Sequence, residues 1–366
     1  MLEGRVVRGY KPGDASEIVE LLDRVLTWPA FEINVPKTDF WKWKYLDVPG
    51  GPAIAGLVVD RKVIQCHSGG IPKGIVIGGK VYKCLEGVDL CQDREHSTRE
   101  MLIEAIKCKN KQAVDRGIEV AFSFPLESIY ETLIRDFEYR DLQVKITRFV
   151  SVLEPRSFFR QTRRAFPKKI AYQLLTSGSK RAQERTKLMS DGYTVDIVNH
   201  FDPDVSDFFL QAAEDFDIVV VRNQDYLNWR YADMRAGAFS ILLAKHSTKI
   251  AGYLVLKTVG EGETKACYIV DMLVSPGQSD VANLLLAEAL QHAGKLNAIA
   301  LHSWMLRDHA YSNAFKEMGF VRLPARPQER KTRLAFRNIC GLRDIDDVLS
   351  KNNLRVHMML GDTDMV

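Results

Sequence analysis

Read for its alternation of apolar and polar positions, the chain runs through one series of elements twice. Each series opens on an aromatic cluster: Phe40-Trp41-Lys42-Trp43-Lys44-Tyr45 and, later, Tyr226-Leu227-Asn228-Trp229-Arg230-Tyr231. Both read aromatic-x-x-Trp-basic-Tyr, and the tryptophans Trp43 and Trp229 stand 186 residues apart. A β-rich run, a polar turn and a second β-rich run follow, which is the signal of a hairpin. In the first series these are Ile54 to Val59, Asp60-Arg61-Lys62 and Val63 to Cys66; in the second they are Phe239 to Ala244, a turn through His246-Ser247-Thr248, and Ile250 to Leu256. Next come two apolar strands with acids inside them, Leu85-Glu86-Gly87-Val88-Asp89-Leu90 and Tyr268-Ile269-Val270-Asp271-Met272-Leu273-Val274. Each leads into a helix, marked by Met101, Ile103, Ala105, Ile106 and Ala113 in one case and by Ala282, Leu285, Leu286, Ala289 and Leu290 in the other. Ser97 followed by Glu100 has the spacing of a capping box. Short strands over 119–124 and 298–302 come after the helices. A further helix then ends at Tyr139 in one series and at Gly319-Phe320 in the other, where Gly319 suits a left-handed C-cap.

Matched elements in one order predict an internal duplication, and a long period of this kind decides the fold. The expected class is α/β (α+β): two similar domains, 1–152 and 190–366, each a mixed, mostly antiparallel central sheet flanked by helices. Residues 153–189 read as a basic helical linker. Between Arg156 and Leu188 it carries Arg160, Arg163, Arg164, Lys168, Lys169, Lys180, Arg181, Arg185 and Lys187 against the single acid Glu184. Such a run is either a solvated face or a strip that meets an anion. The C-terminal runs Leu334-Ala335-Phe336 and Arg355 to Met359 are expected to add strands to the second half. Gly74 to Gly79 reads as a turn between strands.

A length of 366 residues agrees with two domains, since about 100–200 residues per domain is usual. The 46% hydrophobic and 27% charged residues are globular proportions and exclude bulk disorder. A net charge of +4 gives little ground for a nucleic-acid partner. The sequence opens on no signal-like apolar stretch, and no run approaches the roughly 18 apolar residues of a membrane span; the expectation is a soluble, cytoplasmic protein with no membrane span. None of the six cysteines forms a C-x-x-C pair and the eight histidines have no metal-ligand spacing, so reduced thiols and no metal are expected.

The order hairpin, acidic strand, helix, strand, helix, Gly-Phe resembles the GNAT acetyltransferase superfamily, and more closely its bacterial and archaeal tandem proteins. The matching residues are Trp41-Lys42-Trp43-Lys44-Tyr45, Phe122-Ser123-Phe124-Pro125, the opening Arg8-Gly9-Tyr10-Lys11-Pro12-Gly13-Asp14 and the terminal Gly361-Asp362-Thr363-Asp364. They cover most of the chain and carry the fold better than the activity. What the resemblance implies is direct attack of an amine on the thioester of an acyl-CoA, with acetyl-CoA as co-substrate and a small amine such as an amino sugar as acceptor. It also implies a pantetheine cleft between two splayed central strands and a pyrophosphate site at a helix N-terminus, where unpaired amides and the helix dipole favour an anion.

On that pattern the cofactor-binding candidates of the first half are Leu90, Cys91, His96, Ser97, Thr98 and Arg99, and those of the second are Leu273, Ser275, Gly277, Gln278 and Ser279. The family's glycine-rich loop is missing from Cys91 to Arg99, and Val274 to Ala282 keeps one glycine and no arginine. The resemblance implies a tyrosine acid four residues before the Gly of Gly-Phe. Those positions hold Phe315 and Ile134, with Tyr311 and Tyr130 a turn further back; Tyr130 is the candidate. For the base, Glu86, Asp89 and Asp271 stand on the strands that would line the cleft. An acid in an apolar strand is costly unless it is paired or functional. Two other readings stay open: an aminoacyl-tRNA-dependent transferase of the tandem type, its basic linker on RNA, and a binding module that has lost catalysis.

Overall fold

A computed structural model describes residues 4–95, 97–162, 192–323 and 333–363. The first half runs β1 (Arg5–Gly9), α1 (Ala15–Leu26), α2 (Lys37–Tyr45), β2 (Ile54–Asp60), β3 (Val63–Ile77), β4 (Lys80–Gln92), α3 (Arg99–Asp115), β5 (Val120–Ser123), α4 (Glu127–Asp136), β6 (Arg140–Asp141), β7 (Ile146–Val152) and α5 (Pro155–Thr162). The second continues with β8 (Tyr193–Val198), α6 (Asp204–Ala212), β9 (Ile218–Val220), α7 (Gln224–Leu227), β10 (Phe239–His246), β11 (Lys249–Val259), β12 (Ala266–Val274), α8 (Ser279–Lys295), β13 (Ala300–Leu306), α9 (Ser312–Glu317), β14 (Val321–Leu323), β15 (Ala335–Asn338), α10 (Arg343–Leu349) and β16 (Val356–His357).

The predicted hairpins are β2–β3 and β10–β11, both antiparallel. The acid-bearing strands are β4 and β12. Each pairs antiparallel with the strand before it and parallel with the strand after the next helix, so each sheet is mixed. The core strands are buried almost throughout, as in β2, whose first six residues are all enclosed. Amphipathic α1 buries Ile18, Val19, Leu21 and Leu22 and ends on Thr27 in the left-handed region. Two local expectations change. The cap of α3 is Thr98, whose side chain accepts from the Met101 amide at 3.2 Å, rather than Ser97 with Glu100. Strand β3 continues through Gly74 to Ile77, leaving only Gly78 and Gly79, both at positive φ, as the turn.

The two sheets exchange strands. In the first, the order is β1-β2-β3-β4-β5-β15-β6; in the second it is β14-β7-β13-β12-β11-β10-β8. Thus β15, from near the C-terminus, lies antiparallel between β5 and β6, while β7, from the first half of the chain, lies antiparallel between β13 and β14. The expectation that both C-terminal runs extend the second sheet is corrected. Ala335–Asn338 joins the first sheet, and so does Val356-His357, which pairs with β9 where β9 docks on the far end of β3. The exchange satisfies the edges that β5 and β13 would otherwise expose, and unpaired strand edges are a liability.

The repeated order of aromatic cluster and strand acid has a structural counterpart within this chain. Tyr45 donates its hydroxyl to Asp89 at 2.7 Å, and Tyr231 donates to Asp271 at 3.3 Å. In each half the cluster helix is tied to the central strand by the same tyrosine–aspartate bond.

Candidate active site

Strands β4 and β5 pair in parallel from Cys84↔Val120 to Gly87↔Ser123 and then part. The chain leaves β5 through Phe124-Pro125 into α4, while β4 runs on to Gln92. Between them lies a cavity of about 500 Å³, within the ~300–1,000 Å³ typical of small-molecule sites. Its walls are Val88 to Gln92 of β4, Leu102, Ile106 and Lys109 of α3, and Ser123 to Leu126 with Ile129, Leu133 and Tyr139 on the far side. Past Gly87 the backbone edge of β4 faces this cavity in place of a strand.

A bulge shapes that edge. The β3–β4 register shifts between His67 and Gly69, and Asp89 opposite it takes φ +47°. A non-glycine residue in that region is uncommon and needs support. The support is visible: the Asp89 carboxylate accepts from Tyr45 at 2.7 Å and from Lys44 at 2.8 Å, and its carbonyl accepts from His67 Nδ1 at 2.7 Å. Burial, opposed by Asp89, pushes the His67 pKa below its ordinary value. Glu86 also reaches the cavity wall and forms a buried ion pair with Lys73 at 2.5 Å. Burial alone would lower Lys73, but Glu86 holds its proton well above the ordinary range.

Of the residues expected from sequence in this half, Glu86, Asp89, Leu90 and Cys91 line the cavity. Ser97, Thr98 and Arg99 stand at the start of α3: Ser97 donates to the Arg94 carbonyl at 3.3 Å, Thr98 caps the helix, and Arg99 pairs with Asp136 at 2.5 Å. His96 lies outside the described residues. Tyr130 is corrected. Its neighbour Ile129 faces the cavity, and successive helix residues point about 100° apart; Tyr130 instead donates to Asp141 at 2.9 Å beneath the Arg333 guanidinium.

The second half builds the same fork and fills it. Strands β12 and β13 pair from Cys267↔Leu301 to Ile269↔Ser303. Beyond that, Met359 bridges to Met305, and the enclosed Leu360-Gly361-Asp362 turn lies against β12. A Cβ on Gly361 would stand 2.0 Å from the Tyr231 hydroxyl and 2.9 Å from the Val270 carbonyl, so only glycine fits. Asp271 is therefore corrected as a cleft acid. It is 1% exposed and accepts from Arg222 at 3.1 Å and Tyr253 at 3.1 Å, while Arg222 also reaches Asp362 at 2.6 Å. Burial would raise Asp271, but Arg222 holds its carboxyl well below the usual range.

The cofactor candidates of this half surround the start of α8. Leu273 is fully buried, the Ser275 amide donates to Ala251, the Gln278 amide donates to Ser275, Gly277 turns at φ +71°, and Ser279 opens the helix. Tyr311 accepts the Val274 amide at 3.0 Å, so it too is spent on the fold.

Lys109 and Ser123 line the cavity and were not among the expected site residues. Lys109 had a sequence signal. It lies four residues after Ala105 and four before Ala113, inside the buried stripe of α3.

No family model matches the sequence, and no curated protein matches it. Solved structures do match in fold. A conserved protein of Enterococcus faecalis described as a probable N-acyltransferase aligns at a TM-score of 0.62 and 10% identity, over 92% of this chain and 73% of its own. A GCN5-related N-acetyltransferase of Anabaena variabilis aligns at 0.60 and 11%, over 92% and 73%. The N-myristoyltransferase of Saccharomyces cerevisiae, solved with bound myristoyl-CoA, aligns at 0.60 and 12%, over 92% and 80%. The breadth of these alignments, together with the two forked mixed sheets, gives this chain the two-domain fold of the GNAT superfamily.

Proposed function

We propose that this chain is an acyl-CoA-dependent N-acyltransferase working from the β4–β5 fork of the first half. The observation that carries this is the contrast between the halves: one fork opens on a cavity of about 500 Å³, and the other is filled by the chain's own Met359 to Asp362. The open edge of β4 offers backbone groups to the amides of a pantetheine arm in place of β5. The first turn of α3, flanked by Arg94 and Arg99, offers amides to the pyrophosphate. A backbone N–H at the Asp89 bulge polarises the thioester carbonyl. Glu86, paired with Lys73, takes the proton from the attacking amine; Asp89, held by both Lys44 and Tyr45, serves the bulge instead. The C–N bond forms as the C–S bond breaks, and coenzyme A leaves as the thiolate, which takes its proton from solvent. Acetyl-CoA is the reference donor and a small amine, such as an amino sugar, the acceptor.

Calorimetric titration with acetyl-CoA tests this reading. Ser97→Glu places a charge at the start of α3 and is expected to abolish binding, whereas Ser279→Glu at the start of α8 leaves it unchanged. A wild-type chain that binds neither acetyl-CoA nor longer acyl-CoAs overturns the proposal.

A further inference from the structure

Lys109 lies under the apex of the fork. A Cβ placed on Gly87 would stand 3.5 Å from the Lys109 Nζ and 3.3 Å from the Ser123 Cβ, so the three residues converge where β4 and β5 begin to part. Lys109 is 5% exposed and lines the cavity, and among the described residues its ammonium has no hydrogen-bond or ion-pair partner. The Ser123 hydroxyl, also on the cavity, is buried and likewise without a partner among those residues. The other charges of the cavity wall cancel in pairs. Glu86 belongs to Lys73 at 2.5 Å, and Asp89 belongs to Lys44 at 2.8 Å. Lys109 is the charge left over, and the charged group that acts on its pKa is another cation, Arg337. Burial, reinforced by Arg337, lowers its pKa to about 8. A buried ammonium without a counter-ion is costly, and the deficit is met by a ligand that brings the anion.

The position on α3 says which part of the ligand that is. Arg99 at the helix start and Lys109 are about 15 Å apart along the axis at 1.5 Å per residue. With the pyrophosphate at the start of α3, the arm runs inward along β4 and its acyl end arrives at the apex. Two hydrogen-bond donors and one uncompensated positive charge await it there, while the carboxylates of the wall, Glu86 and Asp89, are each paired with a lysine.

We propose that the donor's acyl group ends in a carboxylate, as in the CoA thioester of a short dicarboxylic acid, and that Lys109 and Ser123 bind that carboxylate. This rests on the acyl-CoA reading of the first fork and narrows its donor.

The test is calorimetric titration of the full chain with butyryl-CoA and succinyl-CoA, whose acyl chains are equal in length and differ by the terminal carboxylate. Succinyl-CoA is expected to bind about tenfold tighter or more, the scale of a hydrogen-bonded ion pair. Lys109→Met is expected to bring the two affinities together through loss of the succinyl advantage alone, and Ser123→Ala to narrow the gap. Lys109→Gln, nearly isosteric and polar, repeats the test in a second background, with cooperative thermal unfolding as the check that each variant is folded. Equal wild-type affinities, or a succinyl preference that survives both Lys109 variants, overturn the inference while leaving the acyltransferase reading intact. Failure of both esters and of acetyl-CoA to bind overturns the two together.

Discussion

The indole rings of Trp43 and Trp229 stack face to face between the two halves, with centroids 4.9 Å apart and planes 19° from parallel. Each ring N–H donates to the backbone carbonyl of the other tryptophan, at 2.8 Å from Trp43 and 3.0 Å from Trp229. The two residues that mark the sequence repeat thus meet, each the partner of its own counterpart. Both are buried, so the stack and both hydrogen bonds are shielded from water.

Replacing either ring with alanine removes the stack and that ring's own N–H, leaving the other tryptophan's backbone carbonyl without its donor. Trp43→Ala and Trp229→Ala are each expected to cost about 3–5 kcal/mol, the usual range for a buried tryptophan. The double variant is expected to cost clearly less than the two single losses together, because they remove one shared contact. Urea denaturation of the three variants measures this; additive losses would mean that the two rings act independently.

The strand exchange makes each half incomplete without the other. A chain ending at 162 lacks β15, leaving β5 and β6 without the strand between them, and it carries β7 without its neighbours β13 and β14. Expressed alone, residues 1–162 and residues 192–366 are each expected to aggregate or remain unfolded. Expressed together, they are expected to form a soluble one-to-one complex, read by size-exclusion chromatography with light scattering. A monomeric, cooperatively folded 1–162 fragment would show that β15 is dispensable to the first sheet.

The duplication was legible because it rests on local pattern: apolar alternation, polar turns, and a tyrosine and an aspartate at matching places. The Tyr45–Asp89 and Tyr231–Asp271 bonds show what those matched residues secure. The exchange was not legible. β7 and β15 read as ordinary apolar strands, and nothing local says which sheet a strand joins. Asp89 and Asp271 likewise look alike in sequence, and their surroundings differ because of Arg222 and Asp362, which are remote from Asp271 along the chain. Tyr130 stands one helix position from the cavity-lining Ile129, enough to turn it toward Asp141. Lys109, between Lys107 and Lys111, reads as solvated unless its helical register with Ala105 and Ala113 is followed.

Arg222 is the hub of the filled second fork, 1% exposed and bonded to both Asp271 and Asp362. Arg222→Leu leaves two buried carboxylates without their cation and is expected to cost about 3–5 kcal/mol. Adding Asp271→Asn to that variant removes one stranded charge and is expected to restore part of the loss. Chemical denaturation measures both. Acetyl-CoA affinity in the folded variants is expected to be unchanged, since this fork is not the proposed binding cleft; loss of affinity with Arg222→Leu would place the donor in the second half.

Lys109 carries a pH signature of its own. In the unfolded chain a lysine titrates near 10.4, while burial, reinforced by Arg337, brings Lys109 to about 8 in the folded chain. Below pH ~8 both states hold the proton, and the folded state bears the full cost of burying it. Between ~8 and ~10.4 the unfolded chain keeps a proton that the folded chain has released, so this contribution makes stability rise with pH. Lys109→Met removes the cost. At pH 7 it is expected to stabilise the protein by on the order of 3 kcal/mol, at about 1.4 kcal/mol per unit of displaced pKa. That gain should shrink steadily as the pH approaches 10. Urea midpoints of wild type and variant at pH 7, 8.5 and 10 follow the gap directly. A variant less stable than wild type at pH 7 would mean that Lys109 has an anionic partner within the fold, and the apex of the fork would then carry no charge to offer a ligand.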